Sequence, residues 1–160
     1  MNIILMSEKK VIDMERGKIL FTSFDEVDDV DLSEYHLKLQ IVRFRSKGLR
    51  EGFIHVPELA PSEQLFRKAM YKWKRLIFTK KEKEILSNGE TGTWFDLYKI
   101  DFLKEMKERK DLKRCYERLK EVLDSGKNII CICYCENQKR CHRSIIAEEL
   151  KKDGYNVTLK

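Results

Sequence analysis

The apolar positions of the chain follow two periods, which predict five strands and five helices. Short runs rich in β-branched and aromatic residues predict strands over 18–24, 37–44, 53–56, 128–134 and 155–159. Apolar residues at helical spacing predict helices that follow the cap residues Ser62, Thr79, Thr93 and Asp111, and a fifth helix over 142–152. Gly126 would close the fourth helix in the left-handed conformation.

The run over 128–134 is almost continuously apolar, which is typical of a strand buried on both faces of a parallel sheet. With the helix and strand that follow, it forms a βαβ unit. We therefore predict an α/β fold, a three-layer domain with a mostly parallel central sheet and helices on both faces. In such sheets ligands bind beside the carboxyl ends of the strands, where the loop 135–141 would lie.

Length and composition indicate one domain. The 160 residues contain no repeat and no Pro-rich linker, so we expect a single domain over 1–160, with 1–17 as an N-terminal extension. The longest uncharged apolar run, 129–135, is far short of the roughly 20 residues that cross a bilayer. The first residues lack a basic leader and a small-residue cleavage site, so we expect a cytoplasmic protein without a membrane partner. The 38% of charged residues is a thermophile-like composition.

The net charge of +6 favours acidic partners. We expect a small anionic ligand or a nucleotide, and nucleic-acid binding is an alternative because the stretch 67–75 interleaves basic and aromatic residues. Met70, Trp73 and Ile77 share one face of the predicted helix, however, so we expect Trp73 in the core. The sequence predicts no cofactor and leaves the oligomeric state open.

Four of the five cysteines lie between 131 and 141. An odd number of clustered cysteines is a poor disulfide framework, but it suits a thiol or metal site. Cys133 and Cys135 share one face of the strand because side chains alternate. Cys141 and the two residues after it open the next helix, where free N–H groups and the helix dipole favour an anion or a thiolate.

Three interpretations of this segment remain open. Its cysteines are small buried hydrophobes, as we expect for Cys131 and Cys115. Alternatively, Cys133, Cys135, Cys141 and His142 form a structural zinc site. The third interpretation, which we favour, is an anion-binding loop with one nucleophilic or redox-active cysteine and no metal.

The favoured interpretation assigns roles to individual residues. The catalytic candidates are Cys133, Cys135 and His142, and an acid or base candidate is Glu58 after the third strand. The anion-binding candidates are Arg43, Arg140, Cys141, Arg143 and Ser144. The helix N-terminus and the arginines favour a thiolate at Cys135 or Cys141. Trp94 and Tyr98 are core residues by their spacing, or line the mouth of a pocket.

These residues resemble the C-terminal signature of domain-of-unknown-function family 488. The family pattern is a buried strand that ends in a cysteine, a short polar loop, and Cys-His-Arg at the start of a helix. The matching residues are Cys133, the loop 134–140, and 141–143 followed by Ser-Ile-Ile-Ala. Pro-Glu-Leu at 57–59 and Val-Arg at 42–43 are similar to two further strand ends of the family. The chain departs from the family at Ile41 and at 21–24. The resemblance implies an α/β fold with a site at this loop, and it names no substrate.

Overall fold

The computed structural model describes residues 16–160, so most of the predicted extension 1–17 lies outside the described residues. The described part contains five strands and five α-helices. The strands are β1 (Lys18–Ser23), β2 (Leu37–Gln40), β3 (Ile54–His55), β4 (Ile129–Cys133) and β5 (Asn156–Leu159). The helices are α1 (Glu63–Lys68), α2 (Lys80–Ser87), α3 (Trp94–Glu108), α4 (Lys110–Asp124) and α5 (His142–Lys152). Helix α1 continues as a π-helical turn over Ala69–Trp73.

The strands form one sheet in the order β3-β2-β4-β1-β5, and every pairing is parallel. Strand β4 lies in the centre, with Ile129 opposite Ile19 of β1 and opposite Leu37 of β2. All five residues of β4 are buried, as its apolar run predicts. The predicted α/β class, a mostly parallel sheet with flanking helices, is confirmed.

The direction of the crossovers decides what covers each face of the sheet. The connections from β3 to β4 and from β4 to β5 run the same way across the sheet, so right-handed crossovers place their helices on the same face. On that face the alternate residues Ile19, Phe21, Cys131 and Cys133 join one core cluster with residues of the helices. On the opposite face Leu20, Ile130 and Ile132 pack against residues of the β1–β2 connection, which contains two short 3₁₀ helices, Val27–Asp29 and Leu32–Glu34.

Most predicted helix ends agree with the structure. The Ser62 hydroxyl accepts a hydrogen bond from the Leu65 amide at 3.1 Å, Thr79 forms a capping box with Glu82, and Gly126 has φ 88°. The predicted cap at Asp111 was wrong. Helix α4 begins at Lys110, because Arg109 both ends α3 and caps α4, and its guanidinium holds the Asp111 carboxylate at 2.9 Å.

Strand β2 is shorter than the predicted 37–44. The chain leaves the sheet after Gln40. The backbone carbonyls of the next two residues contact histidine side chains instead of a neighbouring strand. The Ile41 carbonyl accepts from His142 at 2.6 Å, and the Val42 carbonyl contacts the His55 ring at 2.7 Å. The segment after β2 is thereby fixed beside the start of α5.

Among residues 16–160, no helix is long and apolar enough to cross a membrane.

Candidate functional site

The cysteine-rich loop lies at the carboxyl edge of the sheet. Strand β4 ends at Cys133, the loop contains a 3₁₀ turn over Gln138–Arg140, and α5 begins at His142. This is the position at which parallel α/β sheets bind ligands, and it is the position that the sequence predicts.

Three cysteines converge at this edge. The sulfur atoms of Cys133, Cys135 and Cys141 all lie within 4.8 Å of one another, and those of Cys133 and Cys141 are 3.1 Å apart. Cys133 and Cys141 are buried, whereas Cys135 is partly exposed. Three sulfurs at this spacing can hold a thiophilic metal ion. Three free thiols at this spacing also affect one another's protonation.

The Arg143 side chain lies against this cluster and is completely buried. Its Nη1 donates to the Cys133 sulfur at 2.9 Å and to the Cys135 carbonyl at 2.6 Å. Its Nη2 donates to a main-chain oxygen of Lys160 at 3.3 Å. No Asp or Glu side chain among residues 16–160 forms an ion pair with it, and its Nε has no hydrogen-bond partner in that part of the chain. A guanidinium cannot lose its charge, so it favours the thiolate form of the sulfur that it contacts, Cys133.

The electrostatics of the cluster favour the thiolate form at Cys133. Burial acts to raise its pKa, but hydrogen bonds from the neighbouring Cys135 and Cys141 thiols and the charge of Arg143 outweigh burial. The pKa of Cys133 is therefore well below its usual range. The hydrogen bond to Cys133 raises the pKa of Cys135, and burial raises the pKa of Cys141. The sequence favours a thiolate at Cys135 or Cys141, whereas the contact with Arg143 favours one at Cys133, the strand cysteine.

The protonation of His142 follows from its contacts. Its Nε2 lies 2.6 Å from the Ile41 carbonyl, which can only accept, so the proton is on Nε2. Burial lowers the pKa of His142, which keeps the ring neutral. Its Nδ1 then carries a lone pair and lies 3.6 Å from the Cys141 sulfur. The Cys141 thiol thus has a base beside it.

A cavity of about 470 Å³ opens beside the cysteines. It is lined by the three cysteines of the cluster and by His142, and much of the remaining wall is aromatic. The aromatic lining residues are Phe44, Phe66, Trp94, Tyr98 and Tyr134. Phe44 and Met70 at this wall are 40% and 38% exposed, although both are apolar. Such side chains suit an apolar or planar ligand.

Positive charge surrounds the same cavity. Four of its lining residues are basic, Arg43, Lys47, Lys74 and Arg140, and no carboxylate of the described residues lines it. The Lys74 ammonium lies 4.9 Å from the centre of the Trp94 ring, while Arg43 donates to the Pro61 carbonyl at 2.8 Å. Burial and the charge of Arg109 lower the pKa of Arg43, which remains a cation at neutral pH. The cavity is therefore both apolar and cationic.

The structure brings together most of the residues that the sequence singles out. The cavity is lined by Cys133, Cys135, Cys141, His142, Arg43, Arg140, Trp94 and Tyr98. Arg143 lies behind the sulfurs rather than in the cavity. Ser144 donates to the Cys141 carbonyl at 2.7 Å and lines a separate depression with Glu148. Glu58 lies in a 3₁₀ turn beside Arg109, outside the cavity lining.

Several cavity residues could not be identified from the sequence. Phe44, Phe66 and Met70 fit ordinary core spacing, and Lys74 lies in a run of basic residues. Met70 and Lys74 line the cavity at the π-helical turn, where the Lys74 amide donates to the Ala69 carbonyl at 2.9 Å. Such turns often occur at functional sites, but no pattern in this sequence predicts a π-helical turn.

The basic and aromatic stretch 67–75 is less open than its composition indicates. Trp73 is only 1% exposed and donates to the Glu82 carboxylate at 2.8 Å, so the prediction that it belongs to the core is confirmed. Arg67 is paired with Glu63 at 2.8 Å. This helix therefore offers no tryptophan for stacking on a base.

The fold and the site define a small parallel α/β protein with a cysteine cluster at the carboxyl edge of its sheet. The chain belongs to domain-of-unknown-function family 488, since the sequence model described as the active DUF488-N3 subclade matches residues 26–154. The resemblance seen in the Cys-His-Arg segment is thereby confirmed. No curated protein and no solved structure matches the chain.

Proposed function

We propose that the chain is a cysteine-dependent enzyme that acts on a small anionic substrate, with Cys133 as the nucleophile. The observation that carries this proposal is the contact between the buried Arg143 guanidinium and the Cys133 sulfur. A buried charge needs a partner, and the partner here is a sulfur at the edge of a cavity. A thiolate, rather than a thiol, is the reactive form of cysteine.

The cavity supports a substrate with two parts. Its four basic residues favour an anionic group, and its aromatic walls favour a planar or apolar group. A mononucleotide has both parts and is the substrate class that we propose. The description of the matching subclade as active agrees with a catalytic role.

The roles of the other site residues follow from their positions. Arg43, Lys74 and Arg140 would hold the anionic group at the cavity wall. Tyr98 would act as a neutral donor, because burial and the neighbouring cysteines raise its pKa. Arg143 would be a positioning residue that keeps Cys133 ionised.

Ligand protection of Cys133 tests this proposal. The full chain is treated with iodoacetamide at pH 7, and modification of each cysteine is followed by peptide mapping. We expect AMP to slow modification of Cys133 more than adenosine or inorganic phosphate alone does. The proposal is overturned if Cys133 reacts no faster than a free cysteine, or if none of the three compounds protects it.

An oligonucleotide serves as the comparison for the nucleic-acid alternative. If it binds far more tightly than AMP, with an affinity that falls steeply as salt rises, the cavity serves a nucleic acid and the mononucleotide class is wrong.

A further inference from the structure

Cys141 has the position and the surroundings of a second reacting thiol. Its sulfur lies 3.1 Å from that of Cys133, and the Nδ1 of His142 lies 3.6 Å away from it. The Arg143 guanidinium is 2.9 Å from the Cys133 sulfur and 3.9 Å from that of Cys141. The pair thus consists of one sulfur beside a fixed positive charge and a second sulfur with an imidazole nitrogen in contact.

We propose that Cys141, with His142 as its base, is a resolving thiol that releases sulfur-bound groups from Cys133 by forming a Cys133–Cys141 disulfide. This inference rests on the proposed function, because it requires Cys133 to be the first nucleophile. It adds a thiol-disulfide activity to the site and assigns roles to two residues that the first step does not use.

The chemistry proceeds in two displacements on sulfur. A reagent of the type R–S–X, where X is a leaving group, supplies the oxidising equivalents. The Cys133 thiolate attacks the reagent sulfur, so a Cys133–S–R bond forms, the S–X bond breaks and X⁻ leaves. The Cys141 proton then moves to His142 Nδ1, and the Cys141 sulfur attacks the sulfur of Cys133.

The second displacement forms the Cys133–Cys141 bond and breaks the Cys133–S–R bond. The leaving RS⁻ takes the proton from His142 and departs as RSH. The two protein sulfurs are oxidised to the disulfide, and the reagent is reduced to RSH and X⁻. The protons and electrons balance, and His142 returns to its neutral form.

The environment of the pair fits this sequence of steps. The hydrogen bond from His142 Nε2 to the Ile41 carbonyl, at 2.6 Å, holds the imidazole ring in the orientation that directs Nδ1 toward Cys141. Cys135 lies within 4.8 Å of both sulfurs, but no described contact provides it with a base, and it serves as the internal comparison. Cysteines that undergo reversible oxidation often have a second, resolving cysteine beside them.

The test uses methyl methanethiosulfonate, a small reagent that transfers a methylthio group. One equivalent is added to the full chain, and peptide mapping follows each cysteine. We expect the wild type and Cys135→Ser to lose two hydrogens as a Cys133–Cys141 disulfide, with release of methanethiol. In Cys141→Ser the methylthio group should remain on Cys133. In His142→Gln the rate of the second step relative to the first should fall by about 10²-fold.

The outcomes separate the two proposals. If the wild type keeps the methylthio group on Cys133, or if the disulfide uses Cys135, the resolving role of Cys141 is overturned while Cys133 remains the nucleophile. If another cysteine is modified before Cys133 in the wild type and in all three variants, the proposed function fails as well. If His142→Gln leaves the second step unchanged, the base assignment is wrong.

Discussion

The Arg143 guanidinium and the Cys133 sulfur are 2.9 Å apart, and both side chains are fully buried. One comes from the first turn of α5 and the other from the last residue of β4. The sulfur that this arginine contacts is part of the protein. The positive charge that the sequence predicts for a ligand therefore lies behind the Cys133 sulfur, and the basic residues of the cavity wall are left as the candidates for anion binding.

Replacement of Arg143 tests the ion pair. We expect Arg143→Gln to raise the pKa of Cys133, so that its alkylation at pH 7 slows by at least tenfold. Breaking a buried pair should also lower the free energy of unfolding by about 3 kcal/mol, measured by urea denaturation. Arg143→Lys keeps the charge but loses the forked guanidinium that reaches the Cys135 carbonyl and the Lys160 main-chain oxygen. Its alkylation rate and free energy of unfolding should lie between those of the wild type and Arg143→Gln.

Arg140→Gln is the matched control for this replacement. Arg140 is exposed at the cavity and has no described contact with the Cys133 sulfur, so its loss should leave the alkylation rate unchanged. Equal effects of the two replacements would show that general positive charge, rather than the buried contact, controls the thiol.

The stability of the protein should rise with pH between about 5 and 8. The pKa of Cys133 is lowered on folding, so its contribution is complete above the unfolded value of about 8.5 and is lost as the pH falls through the folded value. The pKa of His142 is also lowered, so pH values below about 6.5 destabilise the fold further. The pKa values of Cys135 and Cys141 are raised on folding, so these two thiols lower the free energy of unfolding as the pH rises above about 8.5.

Urea denaturation at each pH measures this dependence. Cys133→Ser should abolish the rise between about pH 6.5 and 8 and keep the loss at lower pH, which belongs to His142. An unchanged profile in Cys133→Ser would contradict the assignment of the thiolate.

Two lysines at the π-helical turn, Lys72 within it and Lys74 directly after it, should differ in ligand binding. Lys74 lines the cavity and lies over the Trp94 ring, whereas Lys72 is exposed elsewhere on the same turn. We expect Lys74→Gln to weaken AMP binding by about tenfold, as for the loss of one charge-assisted hydrogen bond. Lys72→Gln should not weaken it. Quenching of tryptophan fluorescence measures both, and equal weakening would place the anion outside this cavity.

The Cys133–Cys141 disulfide, once formed, should be easy to reduce. Its formation removes the proposed Cys133 thiolate from beside the buried Arg143 guanidinium. Stabilising the reduced form makes a disulfide more oxidising, so we expect millimolar glutathione to reduce it. Arg143→Gln should shift the equilibrium toward the disulfide, as measured in glutathione buffers. A shift in the opposite direction would contradict this account.

The zinc content distinguishes the catalytic interpretation from the metal interpretation. We expect elemental analysis of protein purified without added metal to give zinc well below one atom per chain. Stoichiometric zinc, released only when the chain unfolds, would make Cys133, Cys135 and Cys141 structural ligands and would remove the nucleophile.

Local patterns determined most of the architecture. The apolar run that becomes β4 predicted a central parallel strand, and Ser62, Thr79 and Gly126 marked helix ends correctly, because capping depends on near neighbours in sequence. The position of the site also followed from the sequence, because a loop after a central parallel strand must lie at the carboxyl edge of the sheet. The Cys-His-Arg segment identified the family on the same local basis.

Only the tertiary structure decided which groups meet. Residues 133 and 143 are ten positions apart, and their contact depends on how α5 packs on β4, so the sequence did not reveal that Arg143 contacts Cys133 rather than Cys135 or Cys141 most closely. Strand β2 ends at Gln40, and the next carbonyl, that of Ile41, accepts from His142, which is distant in the chain. The cavity wall joins residues of four separate segments, and side-chain type alone cannot reveal such convergence. The sequence thus determined the elements and the edge that carries the candidate site, while long-range packing decided which sulfur contacts the buried Arg143 and the shape of the cavity.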